Sequence, residues 1–208
     1  MNLSNLSLFF VDEDKNVVAY YKKFFGDLYN AKFGQGNLIQ VPQSDSLICF
    51  GDSYGNIDHK INRTILLTFN NTEEKICNVI NNIYYGEQPV GTTSIINTEN
   101  PKYKFILYTP IFRSYDDKNC YDFENNKNPY IVFRAILTAI LNHNKISDTK
   151  IKSVIITGFS NDNNISKYEK KEEIDFEEVC RQMRVAYNLI DLGIDCSSKS
   201  VQMIENIL

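Results

Sequence analysis

A chain of 208 residues and 24.1 kDa is the right size for one ordinary domain or two very small ones. With 43% hydrophobic and 23% charged residues it has the balance of a soluble globular protein, which excludes global disorder, collagen-like repeats and coiled coil. A net charge of −4, a pI near 5.3 and the lack of a basic block disfavour the coating of extended nucleic acid. No apolar run approaches the roughly 20 residues of a membrane span, so no membrane partner is expected.

In chain order, Leu6 to Val11 is a continuous apolar run of the kind buried parallel strands show. Its apolar opening has no basic n-region or small-residue cleavage site, so no secretory signal is read there. Asp12, Glu13 and Asp14 follow, suited to cap a helix whose face is Val17, Val18, Tyr21, Phe24 and Phe25 and which ends at Gly26. A short strand is expected at Ala31 to Phe33, before the turn Gly34-Gln35-Gly36, and a buried one at Ser46 to Phe50. Helical spacing then runs from Thr72 to Tyr85, with Thr72 resembling a capped start. Strands are expected at Thr92 to Asn97, Tyr103 to Tyr108 and Ile151 to Thr157. Helices are expected at Tyr130 to His143 and Glu173 to Leu192. Ser114 to Asn128 reads as a long polar loop. Strands alternating with helices, with no Pro-rich linker and no repeat, favour a single α/β domain with a mostly parallel or mixed sheet.

The five cysteines are scattered, odd in number and without a CxxC pair, so neither a disulfide framework nor a metal site is indicated. Buried thiols in a reducing compartment are the expectation, which fits an intracellular, cytoplasmic protein. Ligands of such sheets bind at the carboxyl ends of the strands. Three junctions there carry small or flexible residues: Gly36-Asn37-Leu38, Gly51 to Asn62 and Gly158 to Asn164. The second is the richest, since its glycines let a backbone approach a ligand and His59-Lys60-Ile61 reads as a helix start with free amides. Asp52 reads as a water-activating carboxylate or, more simply, as the cap of its turn. His59 reads as a surface residue before a general base. Arg113 and Arg134 are expected to pair with acids on neighbouring elements.

The order of these segments resembles the macro domain family, in its short phage, large-virus and bacterial form, over nearly the whole chain to about Leu192. The matching segments are Phe9 to Val18, Gly36-Asn37-Leu38, Gly51 to Asn62 and Pro89-Val90-Gly91. Pro110 to Arg113, Tyr130 to Leu137 and Gln182 to Tyr187 continue the series. The resemblance implies a three-layer α/β/α fold with a mixed central sheet over residues 1–193, with the tail 194–208 packed on or beside it. It also implies a cleft for ADP-ribose or a related adenine nucleotide and needs no cofactor. Its ligand-binding positions map to Asn37, Leu38, Asp52, Ser53, Gly55, His59, Lys60, Ile61, Gly158, Phe159, Ser160 and Asn161.

Several of these positions depart from the family pattern. Asn37 stands for the acid that recognises the adenine amino group, and Asp52 for the asparagine facing the distal ribose. His59 and Lys60 stand for paired glycines, and the second phosphate loop keeps only Gly158 of its glycines. The implied function is a module that binds ADP-ribose with weakened contacts, on its own or on an ADP-ribosylated protein. The alternatives are an ADP-ribosyl hydrolase using Asp52, or a non-binding pseudo-domain acting in protein interaction.

Overall fold

Strands apolar at every position need cover on both faces, and the chain supplies it with helices on each side. A computed structural model describes residues 3–36, 43–57, 65, 68–113, 128–157 and 175–193. After a 3-10 turn at Leu3–Asn5 come β1 (Ser7–Asp12), α1 (Lys15–Phe25), β2 (Ala31–Gln35), β3 (Ser46–Asp52) and α2 (Thr72–Tyr84). Then follow β4 (Ser94–Asn97), β5 (Phe105–Phe112), α3 (Asn128–Ile146), β6 (Ser153–Ile156) and α4 (Phe176–Asp191). The six strands form one mixed sheet in the order β2-β1-β6-β3-β5-β4, with only the edge strand β4 antiparallel to its neighbour.

Alternate strand residues feed two cores. Phe10, Ile48, Phe50 and Leu107 pack under α1, α3 and α4, joined by Tyr21, Phe25, Phe133, Ile136 and Met183. Leu47, Cys49, Ile106, Tyr108 and Ile155 pack on the other face with Ile76 and Ile80 of α2. The architecture is therefore three-layer α/β/α with a mixed sheet, as expected. No helix among the described residues is long and apolar enough to cross a membrane.

Element ends differ from the sequence reading for identifiable reasons. β5 starts later and runs to Phe112 because it follows the extended end of β3. The two share a register from Ser46↔Phe105 to Gly51↔Pro110, and a bulge then brings Asp52 opposite Phe112. Pro110 has no N–H to give, and the register breaks beside it. β4 begins at Ser94, not Thr92, because the Thr92 N–H and hydroxyl both donate to the Pro89 carbonyl in a turn. α2 is not capped by Thr72; Asn71 holds the cap position in a left-handed conformation, and the Thr72 hydroxyl donates back to the Phe69 carbonyl. α4 starts at Phe176 because the Asp175 carboxylate accepts from the Glu177 and Glu178 amides. α3 starts two residues earlier than expected, with Pro129 tolerated in its first turn. The expected helix start at His59 to Ile61, the polar loop at 114–127 and the tail 194–208 lie outside the described residues.

Candidate functional site

The register of the parallel strands carves the carboxyl edge of the sheet. Phe10 is level with Ile156, the last residue of β6, and β1 runs on two residues further to Asp12. On the other side Leu47 is level with Ile155, so β3 passes Ile156 at Ile48 and continues four more residues to Asp52. Four residues of strand are about 13 Å. The end of β6 is thus recessed between two taller neighbours, where the order of the sheet reverses between the β1–β2 side and the β3–β5 side. Open α/β sheets bind ligands beyond such strand ends, where the strand order reverses.

The tall wall on the β3 side is the turn after Asp52. The Asp52 carboxylate is wholly buried and faces its own turn. Its Oδ1 accepts from the amides of Tyr54 at 2.9 Å and Asn56 at 3.0 Å, and its Oδ2 accepts from the Asn56 side-chain amide at 2.7 Å. The Asp52 carbonyl accepts from the Tyr108 hydroxyl at 2.6 Å, and the Asp52 amide donates to the Asn56 carbonyl. Ser53 is tied on both sides, its amide to the Arg113 carbonyl and its carbonyl to the Gln88 amide. The turn has no room to spare: a Cβ on Gly51 would lie 2.6 Å from the Asn56 carbonyl oxygen. Gly55 has φ +92°, a conformation that favours glycine, with its back against Ile76 and Ile80 of α2.

Every amide from Ser53 to Asn56 is consumed within the protein, since the Gly55 amide donates to the Asp52 carbonyl. This stretch is a rigid wall and offers no open nest of N–H donors. On its outer side the Tyr54 ring lies under the Arg113 guanidinium, 5.8 Å from centroid to carbon. Arg113 donates to both oxygens of Glu87 at 2.7 and 3.0 Å, and the Tyr54 hydroxyl donates to the same carboxylate. The Arg113 hydrogen bonds hold the Glu87 carboxyl below its ordinary range. Partial burial and the Glu87 carboxylate push the Tyr54 phenol up.

Of the residues expected in the site, Asp52, Ser53 and Gly55 come together in this turn. Asn37, Leu38, His59, Lys60, Ile61, Gly158, Phe159, Ser160 and Asn161 lie outside the described residues. Arg113 pairs with an acid as expected; Arg134 has no acid partner among the described residues. On the opposite wall Asp14 caps α1 by accepting from the Asn16 amide, and Asp12 accepts from the Asp14 amide. His143 is tied to the Thr149 carbonyl at 2.8 Å and packs edge-on against Phe105. Among the described residues no three His, Cys, Asp or Glu side chains gather as a metal site would require.

Gln88 went unnoticed in the sequence. It is fully buried, its amide oxygen accepts from Ser94, and its backbone holds Ser53, so it joins the wall of the crevice to the start of β4. The available signal was a glutamine directly before Pro89-Val90-Gly91, a turn the resemblance had already marked.

The mixed six-stranded sheet between helix layers matches a macro domain fold. Among solved structures the chain is similar to the macrodomain of Mycobacterium tuberculosis DarG, at TM-score 0.55 and 15% identity over 76% of this chain and 90% of that one. It is likewise similar to the macrodomain of Thermus aquaticus DarG, at TM-score 0.52 and 10% identity over 74% and 87%. No family model and no curated protein matches the chain.

Proposed function

We propose that the protein is an ADP-ribose-binding macro domain, taking the nucleotide into the crevice above β6, free or carried on a modified protein. The observation that supports this most is the recessed end of β6 walled by the locked Asp52–Asn56 turn. A macro domain fold puts its ligand cleft at this edge, and the crevice is built from strand register, not from a mobile side chain.

In this reading Asp52 holds the wall. Its oxygens already accept three hydrogen bonds, which leaves it poorly suited to activating a water, so binding is preferred to hydrolysis. With the Ser53–Asn56 amides spent, the diphosphate must find its donors at Lys60, Ile61 and the Gly158 to Asn161 turn. Asn37 meets the adenine amino group as a neutral acceptor where the family pattern has a carboxylate, a loss on the order of 1–3 kcal/mol. That is roughly one to two factors of ten in affinity.

Calorimetric titration with ADP-ribose tests the reading. The native chain should bind saturably, and Asn37→Asp should bind about tenfold more tightly. Lys60→Gly reports whether that cation assists the phosphates, through a weaker and less salt-dependent affinity. Absence of heat at millimolar ADP-ribose in all three proteins would overturn the proposal in favour of a module that binds no nucleotide.

A further inference from the structure

Five arginines occur in the sequence, and four of them are among the described residues. Three sit on carboxylates: Arg113 on Glu87, Arg181 on Glu178 and Arg184 on Asp27. Arg134, half-buried on α3, has no such partner among the described residues. It lines a groove of about 380 Å³ between α3, the Gly91–Thr93 turn and Tyr84 at the end of α2.

The groove follows from the spacing of α3. Ile131, Arg134, Ala135, Thr138, Ala139 and Asn142 recur every three or four residues and form one helix stripe. The two alanines leave room, and Arg134 and Thr138, four apart, project side by side. Among the described residues no carboxylate lines the groove. Its donors are another matter: besides the guanidinium, the hydroxyls of Thr138, Tyr84 and Tyr130 have no hydrogen-bond partner among the described residues. Thr92 and Thr93 are already engaged, with Pro89 and Thr109. A half-buried guanidinium in a groove whose described lining offers unspent O–H donors and no acid is complementary to an oxyanion, which can take two parallel N–H bonds and accept from hydroxyls as well.

We propose that this groove is a second ligand site, for a small molecule carrying an oxyanion head on Arg134 and Thr138 and a flat body between Tyr84 and Tyr130. The shared chemistry is a phosphate ester or a carboxylate. The site is separate from the crevice above β6 and stands whether or not that crevice binds ADP-ribose.

Amide chemical-shift titrations with phenyl phosphate, benzoate and inorganic phosphate test it. Phenyl phosphate or benzoate should shift Gly91–Thr93 and Arg134–Asn142 saturably, with a dissociation constant on the order of millimolar for one head group. The tighter of the two identifies the ligand as phosphate ester or carboxylate. Inorganic phosphate should bind more weakly than phenyl phosphate, because it lacks the ring. Arg134→Gln should weaken binding at least tenfold and Thr138→Val several-fold, while Lys15→Gln, which removes the same charge on α1 outside the groove lining, should leave it unchanged. Thr138→Val keeps the test open should Arg134→Gln fail to fold. No saturable shift in the groove at 10 mM of any probe, on the order of ten times that constant, or equal binding by both groove variants and the native chain, would overturn the proposal.

Discussion

At the scale of single residues, the wall of the crevice depends on what glycine and aspartate do that other residues do not. Gly55 holds φ +92°, and a Cβ there would come within 3.1 Å of Ile80. Gly86 is a matched control: its φ is +99°, and nothing lies within 4 Å of its would-be Cβ. Gly55→Ala should therefore cost backbone strain of about 1–3 kcal/mol plus a packing penalty, and Gly86→Ala the strain alone. Urea denaturation of both variants separates the two terms, and equal losses would mean that α2 gives way freely. The role of Asp52 as the cap of its own turn was readable, because an acid followed by Ser-Tyr-Gly-Asn is turn chemistry. The anchoring of the turn to β5 was not readable: the Ser53 amide donates to the Arg113 carbonyl and the Tyr108 hydroxyl to the Asp52 carbonyl, each from more than fifty residues away.

At the scale of elements, the apolar runs and helical spacings were legible and their ends were not. β1, β3 and α1 announce themselves because their buried positions are apolar apart from the strand ends at Asp12, Ser46, Gly51 and Asp52, and because the α1 cap is local, as Asp14 shows. The length of β5 was hidden because it is set by its partner: a segment holding Pro110 continues as a strand only because β3 continues beside it. The joint between α3 and β6 is similarly non-local. The Asn144 side chain donates to the Ile151 carbonyl and accepts from the Ile151 amide, both at 2.7 Å, closing the helix end onto the strand. Asn144 is buried, so Asn144→Ala should leave both backbone groups unpaired and cost roughly 1–3 kcal/mol for each. A fall in thermal midpoint together with faster amide exchange at Ile151 is the expected outcome. An unchanged midpoint would show that other groups satisfy the joint.

At the scale of the whole molecule, exposed ion pairs on the helices and beside the Asp52 turn set a small acid dependence of stability. Asp27 beside Arg184, Glu87 beside Arg113 and Glu178 beside Arg181 all have carboxyls held below their ordinary values of 3.8 and 4.5 by the guanidinium hydrogen bonds. A lowered folded pKa contributes stability above the unfolded value, and that contribution is lost as pH falls through the folded one. The thermal midpoint should thus be insensitive to these pairs near neutrality and fall as pH drops below about 4.5. The pairs are solvent-exposed, so the effect should be small and reduced by salt. A midpoint that rises on acidification over this range would contradict the assignment.

The central claim is that the recessed end of β6, between the taller ends of β1 and β3, is a ligand crevice. An amide chemical-shift map of the protein titrated with ADP-ribose tests it most directly. The account predicts saturable shifts at Asp12, at Thr157 beyond β6 and along Asp52–Ile57, the two walls and floor of one crevice. Shifts confined to the groove of Arg134, or to no contiguous surface at all, would contradict it.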